Sequence, residues 1–412
     1  MTYLNTRVPP HGQVYIALSS KQIYTLFTSA LALLCQMQIA VSAQNQFKLL
    51  GHSTTPIVAA RFTPSGGVIA ASKNGTVSLW GSDTDHPIWH LSLGRAPRKN
   101  DYTQIKISAM DLSTDGRIAV AAYLRFGVDR NLIDEKAGNT TRQKDGVWET
   151  HVVLIDATDG TIKKDIEGLG DTSVTSVVLA SSGKYVFVTT ANSLARAILN
   201  HQSPASTTYV LSIDTGQVLR SFRSKGWIAS ATLSPDDRCF AAAAHQSVEG
   251  STSFYEIQLY DADTGRLLRS SEFETTHAAA ISNFLDDGLL AVSRSGRDGL
   301  QVDLVPRDGS EKVTHLVRTV RSAESRAVAL IPEQQRIVLA GGTLRLTSFD
   351  DIGTPRFNDQ GGVVFIIDQR TGETLRTSPL ASFVTCLAVS RDGLKIAAGM
   401  YDGRIAIIPA LN

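Results

Sequence analysis

The sequence predicts an all-β fold, a ring of seven four-stranded antiparallel sheets, on the strength of three observations. From Gln44 onward, short β-branched and apolar runs alternate with turns rich in Gly, Asp, Asn and Ser. Two different turn signatures recur in a fixed order along the chain. The last repeat supplies only three strands, whereas an extra strand precedes the first repeat. This is the architecture of a seven-bladed β-propeller, a repeat fold that can reach 412 residues as one unit.

Residues 1–43 differ from the rest of the chain and are predicted to form an export segment. Lys21 precedes the apolar run Ile23–Leu34. Val41 and Ala43 occupy the −3 and −1 positions of a cleavage site. A basic residue, a short apolar run and such a site together are typical of a secretory signal peptide.

Two fates of this segment stay open. Cleavage would release residues 44–412, the predicted propeller, as a periplasmic or secreted protein. Without cleavage, residues 23–41 would anchor the protein in a membrane, although this stretch is marginal for the about 20 apolar residues that a spanning helix needs. We expect an exported protein, with the anchored form as the alternative.

The first turn signature joins the first two strands, a and b, of each sheet. In the first unit the strand Ile57–Phe62 leads into Thr63–Gly66, and the apolar strand Val68–Ala71 follows. Asp, Asn and Ser stabilise such turns by bonding their own backbone, and Gly supplies a positive φ. The seven a–b turns are predicted at 63–66, 113–116, 181–183, 234–237, 285–288, 331–335 and 390–393.

The second signature joins strands c and d, and is a strand that ends in Asp before a turn at Gly. Two signatures in a fixed order imply four strands in each unit, and seven such units fit the length. Clear examples are Ile155–Gly160, Ile213–Gly216, Tyr260–Gly265 and Ile367–Gly372.

The two ends of the ring predict how it closes. The seventh unit supplies the strands Phe383–Val389, Lys395–Ala398 and Arg404–Ile408, and no fourth strand follows. Phe47–Leu50 is a strand with no sheet before it. The N-terminal strand is therefore predicted to complete the last blade, which would cover an exposed edge and close the ring.

These repeats resemble those of the WD-repeat family, and repeats such as Gly183–Thr189 followed by Ile213–Gly216 resemble those of YVTN-like propellers. In the WD-repeat family, a His, a strand Ser or Thr, a turn Asp and a Trp form a buried hydrogen-bond network inside the blade. The resemblance is closest in the first unit and implies this structural role for His52, Ser72, Asn74 and Trp80, with Asn74 in place of the Asp. The resemblance covers roughly residues 46–412 and implies architecture rather than a particular function.

Composition and motifs exclude several functions. The 40 Lys and Arg nearly balance the 39 Asp and Glu, so the basic excess of a nucleic-acid-binding protein is missing. The three cysteines have neither disulfide nor metal-ligand spacing. His86 and His90, on a strand, would lie about 13 Å apart, too far to share a metal ion. With no nucleophile elbow, phosphate loop or haem motif either, we expect no cofactor, metal site or catalytic residue, and a monomer.

Long insertions predict where a partner binds. They fall between strands b and c of units two, three and six, and the link Arg95–Asp101 opens on the same face. Gly341–Gly342 and Gly361–Gly362 bracket the unit-six insertion and are interpreted as hinges. Binding residues concentrate on loops that a rigid scaffold holds. The candidate binding residues on this rim are Arg95, Arg98, Lys99, Arg125, Asp129, Arg130, Trp148, Arg196, His201, Arg345, Asp350, Asp351 and Arg356.

Two functions stay open. The first is a non-enzymatic, extracytoplasmic scaffold or recognition module that binds another protein or a small ligand through this rim, and meets a membrane only through an uncleaved N-terminal segment. The alternative is a propeller hydrolase, lactonase-like or metal-assisted, with its site at the mouth of the central channel. Propellers can gather such sites from several blades, and a single sequence does not show a site distributed in this way.

Overall fold

The computed structural model shows an all-β chain, 70% strand and without α-helix in the residues that it describes. The only helical element there is a 3-10 turn, Pro332–Gln334. No helix in this part of the chain has the length and apolar composition to cross a membrane. The described residues are 2–6, 14–18, 47–51, 53–93, 104–128, 146–169, 173–191, 205–246, 254–273, 279–282, 284, 288–296, 299–307, 313–318, 324–349 and 355–411.

The N-terminal unit, Met1–Phe47, is described only in part. Its strands β1 (Thr2–Thr6) and β2 (Val14–Leu18) pair antiparallel. The predicted apolar run and cleavage site lie outside the described residues, so the export segment stays a prediction.

The second unit, Lys48–Asn412, contains β3 (Lys48–Gly51) followed by six groups of four strands and a last group of three. The groups are numbered here as blades 1 to 7 in chain order. Blade 1 consists of β4 (Ile57–Phe62), β5 (Val68–Ser72), β6 (Thr76–Trp80) and β7 (Pro87–Ser92), and blade 2 consists of β8 (Gln104–Leu112), β9 (Ile118–Val128), β10 (Gly146–Asp156) and β11 (Ile162–Glu167). Blade 3 consists of β12 (Ser173–Leu179), β13 (Tyr185–Ala191), β14 (Ala205–Ser212) and β15 (Val218–Lys225). Blade 4 consists of β16 (Trp227–Leu233), β17 (Cys239–Gln246), β18 (Phe254–Asp261) and β19 (Leu267–Phe273).

Blade 7 has three strands from the C-terminal end of the chain and takes β3 as its fourth. Blade 5 consists of β20 (Ala279–Ile281), β21 (Leu289–Gly296), β22 (Gly299–Pro306) and β23 (Val313–Arg318). Blade 6 consists of β24 (Glu324–Ile331), β25 (Arg336–Phe349), β26 (Pro355–Asp368) and β27 (Thr374–Leu380). The three C-terminal strands of blade 7 are β28 (Val384–Val389), β29 (Lys395–Met400) and β30 (Arg404–Pro409).

Contacts between the innermost strands show that the blades form a closed ring. The first strand of each blade contacts the first strand of the next, and β28 of blade 7 contacts β4 of blade 1. Blade 5 is the least regular, since β20 has only three residues. The sheet order gives seven four-stranded blades, this short-stranded sheet included.

The predicted closure is confirmed. β3 pairs antiparallel with β30, from Lys48 opposite Ile407 to Gly51 opposite Arg404. Leu50 is only 2% exposed and packs with Ile57 and Trp80 of blade 1. The N-terminal strand therefore covers the edge of the last blade and also joins the core between blades 7 and 1.

Six of the seven predicted a–b turns are found in the structure, and of the turn in blade 5 only Gly288 is described. One backbone feature explains their residue pattern. Each turn ends on a residue with positive φ, a conformation that glycine adopts without strain. Asp237 and Gln335 replace glycine in blades 4 and 6. The other five turns end on Gly66, Gly116, Gly183, Gly288 and Gly393.

Aspartates fasten these turns internally and to one another. In blade 4, Ser234 Oγ donates to Asp236 Oδ1 at 2.5 Å, and Arg307 of blade 5 donates to Asp236 Oδ2 at 2.9 Å. Asp237 accepts the backbone N–H groups of Ser181 and Ser182 in blade 3, at 2.6 and 2.9 Å. The turns thus link blades 3, 4 and 5 along the face opposite the insertions.

Because the aspartates of these turns accept hydrogen bonds as ionised carboxylates, we expect acid to destabilise the propeller. Burial of Asp236 opposes its ionisation, but hydrogen bonds from Ser234, Arg307 and the Arg238 N–H prevail and lower its pKa to about 2. A carboxylate whose pKa is lower in the folded chain than its unfolded value of about 3.9 stabilises the fold above that unfolded value, and the stabilisation is lost as the pH falls through the folded pKa. We expect the free energy of unfolding to fall between about pH 4 and pH 2, measured by urea denaturation at several pH values.

The Asp236→Asn variant tests this assignment. It should be less stable than the wild type at pH 7 and should lose less stability than the wild type on acidification, because one titrating carboxylate is gone. An unchanged pH dependence in the variant would show that Asp236 is not part of the acid response.

Candidate functional site

One face of the ring carries the long connections between strands b and c. The strands that flank this connection have 14 residues each in blade 6 and 11 each in blade 2. The corresponding strands of the other blades have five to eight residues. Strand polarity places all b–c connections on this face, which is called the arm face below.

In blade 6 the described parts of the insertion, residues 343–349 and 355–361, are strand rather than loop and form a two-stranded arm. In the described residues, the inner strand β24 pairs with β25 as far as Gly342, and the outer strand β27 pairs with β26 from Gly362 onward. Within the arm β25 and β26 remain paired, as at Leu344 opposite Asp359. The sequence interpretation of a loop between hinges is corrected here, because β25 and β26 pair antiparallel through the described parts of the insertion.

Asp359 anchors the base of the blade-6 arm to blade 7. Its Oδ1 accepts the backbone N–H groups of Gly361 and Phe383, both at 2.9 Å, and Ser382 Oγ donates to its Oδ2. A Cβ added at Gly362 would overlap the backbone carbonyl oxygen of Ser382. The glycines at the base of the arm thus permit the close approach of blade 7, a packing reason for their position.

The blade-6 arm presents an arginine and an aromatic ring to solvent. Arg345 is exposed and lies opposite Asn358, and Phe357 is 38% exposed. Arginine and aromatic side chains are frequent among the residues that dominate protein–protein binding energy. Phe357 is not among the sequence candidates, because an insertion interpreted as a loop gives no indication of which side chains face outward.

The remaining rim candidates fall into two groups. Arg125 is exposed on β9 opposite Glu149, and Trp148 and Arg356 are placed on β10 and β26 by their backbones alone. Arg125 and Trp148 thus belong to blade 2, and Arg356 belongs to blade 6. Outside the described residues lie Arg95, Arg98, Lys99, Asp129, Arg130, Arg196, His201, Asp350 and Asp351.

Blade 2 contains a cluster of ionisable side chains that the sequence did not reveal. We call Tyr123, Glu149, His151, Asp165 and Glu167 the blade-2 polar cluster; they come from β9, β10 and β11. His151 is 1% exposed, and its Nδ1 lies 3.1 Å from Asp165 Oδ1 and 3.8 Å from Glu167 Oε1. On the other side of the imidazole, His151 Nε2 lies 3.6 Å from Glu149 Oε2.

Tyr123 holds the imidazole of His151 in place. The two rings stack with centroids 4.8 Å apart and planes inclined by 7°. The Tyr123 hydroxyl donates to Asp165 Oδ2 at 3.4 Å. Burial, followed by the charge of Asp165 and this hydrogen bond, raises the pKa of Tyr123 above its ordinary value, so the hydroxyl keeps its proton and remains a donor.

In blade 1, three of the four residues assigned a structural role by resemblance are described. Ser72 Oγ donates to Asn74 Oδ1 at 2.6 Å and to the carbonyl of Thr76 at 3.2 Å. Trp80 is 1% exposed. His52 lies outside the described residues. Asn74 therefore fastens the b–c turn of this blade to strand β5.

The two described cysteines are free thiols without the character of nucleophiles. Burial raises the pKa of Cys386 to about 11 and also raises that of Cys239. Because the thiolate is the reactive form, neither side chain is activated near neutral pH.

Comparison with protein families supports the repeat assignment at both ends of the ring. The family model described as "WD domain, G-beta repeat" matches residues 43–81 and 372–408. The first segment covers β3 to β6. The second covers β27 of blade 6 and β28 to β30 of blade 7 as far as Ile408, so the two segments lie side by side where the ring closes. No curated protein matches the chain.

Proposed function

We propose that this chain, a β-propeller that carries WD40 repeats, is an extracytoplasmic scaffold that binds another protein through its arm face. A WD40 propeller is the kind of fold that serves as a protein-interaction scaffold. The arm face and the location outside the cytoplasm are the specific parts of the proposal.

One observation carries the choice of surface: the blade-6 arm is anchored yet projects beyond its own blade. Asp359 fixes its base to blade 7, so little ordering entropy is lost when a partner binds. Arg345 and Phe357 are exposed on this arm. An anchored strand pair with an arginine and an aromatic ring has the composition of a binding hot spot.

The proposed location rests on residues 1–43, whose basic, apolar and small residues follow the order of a signal peptide. Fractionation of the native host followed by N-terminal sequencing tests it directly. A mature chain that begins at Gln44 in an extracytoplasmic fraction supports export. A full-length chain found only in the cytoplasm contradicts it.

Charge reversal and truncation on the arm test the binding surface. We expect the Arg345→Glu/Phe357→Ala variant to lose a partner that cross-links to the wild type in the native host, with recovery at least about tenfold lower, which corresponds to about 1.4 kcal/mol. The measurement is quantitative mass spectrometry of cross-linked complexes from wild-type and variant cells.

The opposite face offers a matched control. Arg391 and Leu394 lie in the a–b turn of blade 7; both are exposed, Leu394 to 47%. The Arg391→Glu/Leu394→Ala variant changes the same charge and removes a similar apolar surface, and should keep the partner. Equal recovery with the arm variant, or loss with the control alone, would assign binding to another surface.

A further inference from the structure

We propose that the blade-2 polar cluster binds one divalent transition-metal ion, with His151 Nδ1, Asp165 and Glu167 as its protein ligands. This inference is independent of the proposed partner-binding function. It rests on the spacing of the ligand atoms, on the burial of the imidazole and on the balance of charge around it.

The spacing of the three ligand atoms fits a metal ion. Nδ1 of His151 lies 3.1 Å from Asp165 Oδ1 and 3.8 Å from Glu167 Oε1, and the three ligand atoms lie within 4.8 Å of one another. Zinc bonds to nitrogen and oxygen are close to 2.0–2.2 Å, so two ligands of a tetrahedral site are separated by about 3.3–3.6 Å. Small side-chain adjustments of Asp165 and Glu167, which are 39% and 72% exposed, would complete the site.

The environment of the imidazole provides the second observation. The side chain of His151 is 2% exposed, and its buried Nε2 has no hydrogen-bond partner among the described residues. A histidine that binds a metal through one nitrogen usually donates its other N–H to a carboxylate, which fixes the tautomer. Glu149 Oε2, 3.6 Å from Nε2, is placed to become that acceptor after a shift of less than 1 Å.

Asp165 has an equivalent support. Its Oδ2 accepts from Tyr123 at 3.4 Å, which leaves Oδ1 on the side of the imidazole. Two ligands of the proposed site, His151 and Asp165, thus each have a neighbouring group on the side away from the metal position. Such outer partners orient ligands and raise metal affinity.

Charge favours a cation at this position. The carboxylates of Glu149, Asp165 and Glu167 lie 3.1–3.8 Å from the imidazole nitrogens of His151. Arg125, opposite Glu149 on β9, offsets one of these carboxylates. A divalent ion would offset the other two, and it would hold the outermost strand β11 against β10.

The ligand set indicates the class of metal. One imidazole with two carboxylates suits zinc, manganese or another transition metal better than calcium or magnesium, which prefer oxygen ligands alone. The exposed sides of Asp165 and Glu167 leave room for water to complete the coordination. The sequence predicts no metal site because the three ligands have no metal-ligand spacing along the chain, and only the pairing of β10 with β11 brings them together.

Titration of the purified, chelator-treated full chain with Zn²⁺, and separately with Mn²⁺, tests the proposal. Isothermal calorimetry should show one saturable site for at least one of these ions. Asp165→Asn and Glu167→Gln should each weaken binding at least about tenfold. Both side chains are exposed enough for the fold to be kept, which far-ultraviolet circular dichroism of each variant verifies, whereas His151→Phe changes a buried, stacked ring.

Glu272→Gln is the matched control, since Glu272 is an exposed glutamate on β19, the outermost strand of blade 4. It should bind the metal as the wild type does. Absence of binding by the wild type, unchanged affinity in either ligand variant, or equal weakening in the control would overturn the proposal. A visible absorption spectrum of the Co²⁺-loaded chain that changes in Asp165→Asn but not in Glu272→Gln would support it.

Discussion

Deleting residues 47–51 is expected to destabilise the whole ring and not only blade 7. The deletion removes β3, so it takes away the pairing with β30 and exposes the backbone edge of that strand. It also removes Leu50 from the core that blades 7 and 1 share. Since the contact of β28 with β4 closes the ring, loss of this shared core weakens the one junction at which the two ends of the propeller meet.

A pair of single substitutions on β3 separates burial from mere truncation. Leu50 is 2% exposed and Leu49 is 42% exposed, although they are neighbours of the same type. Leu50→Ala should cost about 2–5 kcal/mol of unfolding free energy, the range for a buried leucine, and Leu49→Ala should cost far less. The deletion should cost more unfolding free energy than either substitution. Urea denaturation followed by tryptophan fluorescence measures all three losses.

The tryptophans report on distant parts of the ring, because Trp80 lies in blade 1 and Trp227 in blade 4. If closure stabilises the entire propeller, both regions should unfold at lower urea in the deletion variant. If most of the fluorescence change in the deletion variant still occurred at the urea concentration at which the wild type unfolds, β3 would stabilise only its own blade.

Repeated turn chemistry made the fold predictable from the sequence. The a–b turns predicted at Gly66, Gly116 and Gly183 end on residues with positive φ, and so does the turn at Asp237. That requirement selects the residue type directly. The closure of the ring was predictable because the last unit has only three strands and one strand precedes the first unit. Pairing these two ends is the economical way to complete the last blade.

The blade-2 polar cluster could not be predicted, because a bulge changes which residues face one another. The register of β10 and β11 shifts between Leu154 and Ile155. Counting back from the turn without this shift would place Ile166 opposite His151, whereas the structure places Glu167 there. A slip of one residue moves a side chain to the other face of a sheet, so the sequence pattern alone conceals the cluster.

The candidate rim was predictable only as a surface. The lengths of the b–c insertions identified the arm face, and strand polarity agrees with it. Arg345 and Arg125 are exposed, but the facing of Phe357 required the pairing of β25 with β26. Alternation can be assigned to side chains only after the register of a strand pair is known.

Gly403→Ala is expected to be the most damaging glycine substitution in the region where the ring closes. Gly403 has φ +87°, in the left-handed region, and lies in the b–c turn of blade 7. A Cβ there would overlap the carbonyl oxygen of Ser53 and approach the carbonyl oxygen of Thr55 to 2.8 Å. Both are backbone atoms in the link between β3 and β4, so the obstacle cannot rotate away as a side chain can.

Gly66→Ala isolates the part of this cost that comes from the backbone angle. Gly66 has φ +81°, and an added Cβ would meet nothing within 4 Å. Alanine in the left-handed region costs about 1–2 kcal/mol, partly offset by the lower entropy of the unfolded chain. Overlap with fixed atoms adds about 1–3 kcal/mol, so Gly403→Ala should be the less stable variant by that margin in urea denaturation. Equal stabilities would mean that the link between β3 and β4 moves freely, and that the close approach of Ser53 does not hold the ring shut.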